Sequence, residues 1–395
     1  MPKKIKNLIF IFETFLSKFD FERFGFDYYE SQGLKVKIFN ISPITRKKYF
    51  MGEKDKNHYI TNFQKICFST QDLENELLEY KSLETASIVF IDDVEYEQKV
   101  RRILKNHNIL NIKYIFGGQP FKKKSFFKFF LHVLFDLFGA LYVIKKKIRI
   151  LKYKYLINTK PDIIFYVGLN LKPSGKSKSI SLPSFEHDKI NLLISKKNDL
   201  KIKSPFALYL DSPYLHSDTY EIDRRFPKEK LYKFDEYYGP LNNFFKEFQK
   251  ITGLKVCVSS HPKANYTINP YNSSELINNK TFELVNDNNC KVVLLHSSLA
   301  INYPILLNKP IIFLTYSNLS VSNKKKGMDL SNFFEKKPIE IDKNNFDELT
   351  FKNQLRINVN KYNIYKRLFI LEKDFKNNSY EIVYNTLINI NDNKR

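Results

Sequence analysis

The chain has no tryptophan, only three cysteines and eleven glycines among its 395 residues, and each scarcity excludes something. Cys67, Cys257 and Cys290 are odd in number and far apart. They form neither a disulfide framework nor a zinc pattern, so a reducing cytosol is the compartment they fit. No GxGxxG follows the first apolar run, which argues against a dinucleotide site in the amino-terminal half. Gly168 to Ser179 (GLNLKPSGKSKS) mixes glycine, lysine and serine without the Walker spacing, so it is not a P-loop. His187, His216 and the nearby acids lack local ligand spacing, and no metal or other cofactor is expected. Repeats are absent. Met1 to Lys6 leads into a short run, Leu8 to Phe12, and then a charged loop, which does not read as a signal peptide.

A clean membrane-spanning run is also missing. Phe126 to Ile144 approaches spanning length but carries Lys128, His132 and Asp136. A charge at the bilayer centre costs about 2.5–3.5 kcal/mol on insertion scales. Lysine clusters flank the segment, so residues 122–155 read either as an interfacial helix on anionic lipid or as a helix pair buried against the first domain.

What is present is a globular composition, 43% apolar and 15% aromatic, long enough for two domains. The net charge of +23 implies an anionic partner: nucleic acid, a membrane surface or charged substrates. No helix-turn-helix or RNA-binding signature is visible, so nucleic acid is not expected. The lysine excess also fits AT-rich coding.

The organising stretch is Leu254 to Tyr316. Val256 to Val258 ends in Ser259, Ser260, His261 and Pro262. Val292 to Leu295 ends in His296, Ser297 and Ser298. A helical stretch and Lys309-Pro310 then lead to Ile311 to Leu314. Three β-like runs, each stopping in small polar or cationic residues, describe the carboxyl edge of a parallel sheet, where open α/β folds bind ligands. His296-Ser297-Ser298 offers backbone N–H groups and two hydroxyls to a phosphate. His261 adds a donor from the next strand end, and Lys263 a charge. Either serine also suits a plain N-cap.

A His-Pro at one strand end and a Ser-Ser at the next resemble the nucleotide-binding motifs of bacterial sialyltransferases and related capsule-sugar transferases. HSSLAINYPILLNKPIIFLT also resembles the donor-domain signature of many GT-B transferases and of non-hydrolysing sugar epimerases. The resemblance covers the second half well and the first in outline. It implies an α/β chain of the GT-B plan: two Rossmann-like domains with parallel sheets facing a cleft, and carboxy-terminal helices crossing back. It further implies that His261 with Pro262, Ser297 and Ser298 hold the phosphate and ribose of a donor. Glu283 stands where such enzymes often hold a ribose.

In the first half, Lys6 to Phe12, Leu34 to Ile41, Ala86 to Ile91, Asn111 to Phe116 and Asp162 to Val167 read as strands. Ile60 to Phe68 is expected to hold another, and Thr70 to Tyr80 an acidic helix. Ala86 to Ile91 ends in Asp92-Asp93, a candidate general base or an N-cap pair for the helix Val94 to Asn106. The resemblance puts the base in a short acidic motif closed by glycine, whereas here Val94 follows. Asp20, Glu22 and Arg23 lie near the cleft or on a solvated helix face. Gly117-Gly118-Gln119-Pro120 reads as a turn. Ile180 to Asp188 is read as the last strand of the domain, followed by Glu186, His187 and Asp188. That cluster could hold the acceptor, supply the base in place of Asp92, or be a surface turn.

Residues 189–205 read as a linker. Phe206 to Leu210 then opens the second domain and ends in Asp211-Ser212-Pro213-Tyr214, placing Asp211 and Tyr214 at the cleft edge. Pro338 to Ile341 is a final strand, and helices follow. The expected division is 1–200 for the acceptor side, 201–360 for the donor side and 361–395 packing back on the first.

The function expected from the resemblance is transfer of a sugar onto a surface polysaccharide or lipid-linked glycan, without a metal. His-Pro with Ser-Ser favours a CMP-linked acidic sugar, a nonulosonic acid or Kdo. The expected partners are a nucleotide sugar, a glycan or lipid-linked acceptor, and an anionic membrane surface at the inner face of the cytoplasmic membrane. A UDP-sugar transferase or epimerase of the same fold, and a non-catalytic basic protein binding an anionic polymer, remain the alternatives.

Overall fold

The computed structural model describes residues 4–54, 63–80, 83–120, 148–153, 159–175, 177–193, 202–212, 234–261, 264, 266, 268–272, 274–278, 280–319, 321–343 and 347–390. Residues 122–147, most of the basic aromatic segment, lie outside them, as do Pro262, Lys263, Tyr214, His216, and 194–201 of the expected linker.

The long apolar runs become buried parallel strands. In β1 (Asn7–Phe12) every residue after the first is buried, as expected of a strand covered on both faces. It pairs in parallel with β2 (Lys35–Asn40) and with β4 (Thr85–Phe90). β3 (Gln64–Ile66), β5 (Leu110–Ile115), β6 (Ile163–Val167) and β7 (Lys178–Leu182) complete a seven-stranded sheet in the order β3-β2-β1-β4-β5-β6-β7. Phenylalanine fills this core in place of tryptophan: Phe12 stacks on Phe90 at 4.6 Å, and Phe10 meets Phe26 edge-on at 4.7 Å.

The second sheet has six strands: β8 (Phe206–Leu210), β9 (Lys255–Ser259), β10 (Glu275–Ile277), β11 (Cys290–Leu295), β12 (Ile311–Thr315) and β13 (Ile339–Glu340). All pairings are parallel, in the order β10-β9-β8-β11-β12-β13. Each sheet therefore winds outward in both directions from its own first strand. The strand order reverses between β1 and β4 and between β8 and β11, and the ligand crevice of such a fold opens at those points. These are the two Rossmann-like domains of the GT-B plan.

Two elements differ from expectation. The strand read over Ile180–Asp188 is Lys178–Leu182, and Phe185–Leu193 is a helix. Pro183 ends the strand, and the Ser184 hydroxyl accepts the His187 N–H at 3.4 Å, so Glu186, His187 and Asp188 ride the first turn of that helix. Thr281–Asn286, the stretch that carries Glu283, is also helical. Helix Phe234–Thr252 buries Tyr237, Tyr238, Leu241, Phe244, Phe245 and Phe248 along one side, the i, i+3, i+4 stripe of a core-facing helix.

The chain then crosses back. A turn of π-helix, Lys366–Ile370, sits against Gly168, and helix Ser379–Ile388 places Val383 and Leu387 in the core of the first domain. Ser184 N–H donates to the Ile370 carbonyl at 2.9 Å. Asp188 accepts both the backbone N–H and the hydroxyl of Ser379, which anchors the start of the returning helix. Among the described residues no helix is long and apolar enough to cross a membrane.

Gly168 is required twice over. Its φ is +72°, and a Cβ there would lie 2.5 Å from the Leu368 carbonyl oxygen and 2.7 Å from Phe369 Cα, both backbone atoms. Gly33 has φ +83° with no atom within 4 Å of a Cβ. Left-handed backbone alone costs about 1–2 kcal/mol. Gly33→Ala is expected to lose that much, and Gly168→Ala at least about 2 kcal/mol more, read from urea unfolding midpoints.

Candidate functional site

In the second domain β8 pairs with β9 and β11, and neighbouring strands lie about 4.8 Å apart, so their polar ends form one patch. Asp211 follows β8, Ser260 and His261 follow β9, and His296, Ser297 and Ser298 follow β11. The structure thus brings together Asp211, His261 and the His296–Ser298 loop.

Within this patch the residues divide by exposure. Asp211 is 3% exposed. It accepts the Tyr271 hydroxyl at 2.5 Å, the Tyr266 hydroxyl at 2.6 Å and the His261 backbone N–H at 3.1 Å. Burial pushes its carboxyl up, against the pull of those three donors. Both phenols are themselves pushed far up by burial and by Asp211, so they remain donors. His261 is partly exposed, with its backbone held by Asp211.

His296 was expected to face a phosphate. Its ring is instead 2% exposed, 3.0 Å from the Leu314 carbonyl through Nδ1 and edge-on to Tyr209 at 6.0 Å. Burial lowers its pKa from 6.5 to about 4, so near neutral pH the ring is uncharged and supports the loop from below. Ser297 and Ser298 are partly exposed above it. Ser298 caps the short 3₁₀ turn Leu299–Ile301, its hydroxyl accepting the Ala300 N–H at 3.2 Å. The N-cap use of this serine is therefore real. Glu283 lies in the first turn of helix Thr281–Asn286, and Thr281 Oγ1 is 2.7 Å from Ser259 Oγ at the end of β9.

The first domain presents its own switch point. Glu13 immediately follows β1 and is 4% exposed. It is paired with Arg46 and accepts the Asp92 N–H at 3.2 Å. Burial raises the Glu13 pKa more than Arg46 lowers it. Asp92 stands beside the same guanidinium at 3.3 Å with 65% of its side chain exposed. Asp93 caps the helix Val94–Asn106 by accepting the Glu95 and Tyr96 N–H groups. The acidic pair thus splits into one cap and one exposed carboxylate. Asp188 was a candidate base; it is 4% exposed and held by Ser379, away from solvent.

The two carboxyl edges touch. Gln119, in the Gly117–Pro120 turn after β5, donates Nε2–H to the Ser298 carbonyl at 2.8 Å. Asn302 Nδ2 donates to Glu186 Oε2 at 3.0 Å, and a Cβ on Gly117 would meet Leu299 Cδ1 at 3.5 Å. Glu13, Arg46, Tyr266 and Tyr271 had escaped the sequence reading, and Gln119 was read only as part of a turn. Only Glu13 carried a signal, as the first polar residue after an apolar strand. Among the described residues no group of three or more His, Cys, Asp or Glu could hold a metal ion.

No family model and no curated protein matches the sequence. Solved structures of similar shape include MurG from Acinetobacter baumannii, with TM-score 0.46, 8% identity, and coverage of 98% of this chain and 100% of that one. The glycosyltransferase SnogD from Streptomyces nogalater matches at TM-score 0.48 and 6% identity, covering 92% and 94%. UDP-GlcNAc 2-epimerase from Neisseria meningitidis, bound to UDP-GlcNAc, matches at TM-score 0.43 and 12% identity, covering 97% and 99%. At these identities the likeness is one of shape.

The buried state of His296 has a pH signature. The folded ring stays neutral down to about pH 4, whereas the unfolded ring gains its proton below about 6.5. In that window the unfolded state binds more protons, so stability falls as pH falls, by roughly 3 kcal/mol in all. The unfolding free energy of His296→Gln is expected to lack this component, its slope against pH differing from wild type by about 1.4 kcal/mol per pH unit between the two values.

Proposed function

We propose that the chain is a nucleotide-sugar-dependent glycosyltransferase with the nucleotide at the switch point of the second sheet. The observation that supports this reading is the contact of the two carboxyl edges, Gln119 Nε2–H to the Ser298 carbonyl, with the exposed Asp92 following a strand of one edge and His261, Ser297 and Ser298 following strands of the other. His261, Ser297 and Ser298 are assigned to the donor phosphates, with Pro262 and Lys263 next to His261 in sequence and Tyr214 after β8, and Glu283 to the ribose. Asp92 is assigned as base.

The acceptor hydroxyl oxygen forms a bond to the anomeric carbon while the bond from that carbon to the phosphate oxygen breaks. The electron pair leaves with the nucleotide, and the hydroxyl proton passes to Asp92. Negative charge grows on the departing phosphate, and fixed donors at His261, Ser297 and Ser298 stabilise it most at the transition state. Arg46 keeps a positive charge behind Asp92 and orients it. The finer reading is a CMP-linked acidic sugar passed to a surface glycan or lipid-linked acceptor. The chain's net charge of +23 supports an anionic donor or acceptor.

The test is thermal stabilisation by CMP, CDP, UDP, GDP and ADP. A nucleotide at about 100 times its dissociation constant adds about 2.7 kcal/mol of stability. CMP is expected to shift the wild type and to fail on His261→Ala. A UDP-only shift would keep the transferase reading and discard the CMP donor. Epimer formation from a UDP-sugar without acceptor would replace transfer with epimerisation, and no shift with any nucleotide would sink the proposal. Asp92→Asn should keep the nucleotide shift and lose about 10²–10⁴-fold in turnover.

A further inference from the structure

The carboxylate that follows β8 is surrounded by phenols. Tyr266 and Tyr271 donate directly to it, Tyr238 donates to Tyr266 at 3.2 Å, and the hydroxyls of Tyr209 and Tyr237 lie 3.1 Å apart in the same cluster. His261, Tyr266 and Tyr271 all belong to the stretch that leaves β9, and all three reach back to one side chain. Pro270 and Tyr271 are fixed in turn, by Asn242 Nδ2 to the Pro270 carbonyl at 2.9 Å and by the Tyr271 N–H to Asn269 Oδ1 at 3.0 Å. Asp211 therefore ties the end of β8 to the segment beyond β9 through three separate contacts.

Packing alone does not call for this arrangement. A buried carboxylate carries a desolvation cost that apolar residues of similar volume avoid, and here the contacts that offset it are the ones that fix the segment beyond β9. With two oxygens, three donors and 3% exposure, Asp211 presents almost no surface to a ligand.

We propose that Asp211 is a positioning residue: it touches no nucleotide, and acts through the His261 backbone N–H and the Tyr266 and Tyr271 hydroxyls to aim His261 into the cleft. The proposal rests on the transferase reading above, and it replaces direct donor contact as the role of this carboxylate. An asparagine there would turn an N–H₂ group toward donors, reversing at least one contact while keeping the shape.

The experiment pairs two readouts. The first is calorimetric titration with CMP and with UDP; the second is amide hydrogen exchange at His261 in the ligand-free protein. In Asp211→Asn the dissociation constant of the bound nucleotide is expected to rise about tenfold or more, and the His261 amide to exchange faster. Tyr362→Phe is the control, since Tyr362 is equally buried in the same domain but donates only to the Lys309 carbonyl. It should lose stability and keep its affinity within about twofold. Should Asp211→Asn not fold, Tyr266→Phe and Tyr271→Phe each remove one donor and leave the carboxylate; each is expected to weaken nucleotide binding and deprotect His261. Wild-type affinity together with unchanged exchange in these variants overturns the proposal. If wild type binds neither nucleotide, the transferase reading fails and exchange alone decides: faster His261 exchange in the variants supports positioning, and unchanged protection overturns it.

Discussion

Glu13 and Asp211 stand one residue beyond the strand from which each sheet is wound, and each draws in a backbone N–H from the end of an adjoining strand. The two switch points depend on that contact. A strand end that opens toward a ligand leaves backbone groups without sheet partners, and a carboxylate at the centre satisfies them from below. The compensation differs. Glu13 is offset by a guanidinium that also reaches the exposed Asp92. Asp211 is offset by neutral phenols. One half of the cleft therefore carries carboxylates paired with a guanidinium, and the other a buried carboxylate held by hydroxyls, next to partly exposed serines.

The sheet was legible because buried parallel strands read as continuous apolar runs. Phe206–Leu210 matches its expected bounds, and β1, β2, β4, β5 and β6 fall within a residue or two. The polar strand ends were legible for the same reason, since a polar residue after such a run has to lie at the sheet edge. Burial at those edges was not legible. His296 and Ser297 are neighbours in sequence, yet one is buried against tyrosines and the other is partly exposed. No periodicity distinguishes them, because a loop has none. Glu186 to Asp188 were misplaced because Ile180–Asp188 reads as extended until Pro183 breaks it. Arg46, Tyr266 and Tyr271 are brought in by chain return over distances that a local pattern does not contain.

Among the described residues, polar contacts between loops bridge the cleft. Gln119 to Ser298 and Asn302 to Glu186 connect loops at the strand ends, and Gly118 and Gly168 lie close to the returning chain at Leu368 and Phe369.

The returning helix also bears on how the protein is made. Val383 and Leu387 belong to the same core as Leu8 and Phe10, and Asp188 is satisfied by Ser379. Domains generally fold as units during synthesis, amino-terminal first. Here the amino-terminal domain waits for residues translated after the second sheet, so its core stays incomplete while that sheet is made. The second sheet, by contrast, has all its strands once Glu340 has emerged. The half translated first is the half completed last.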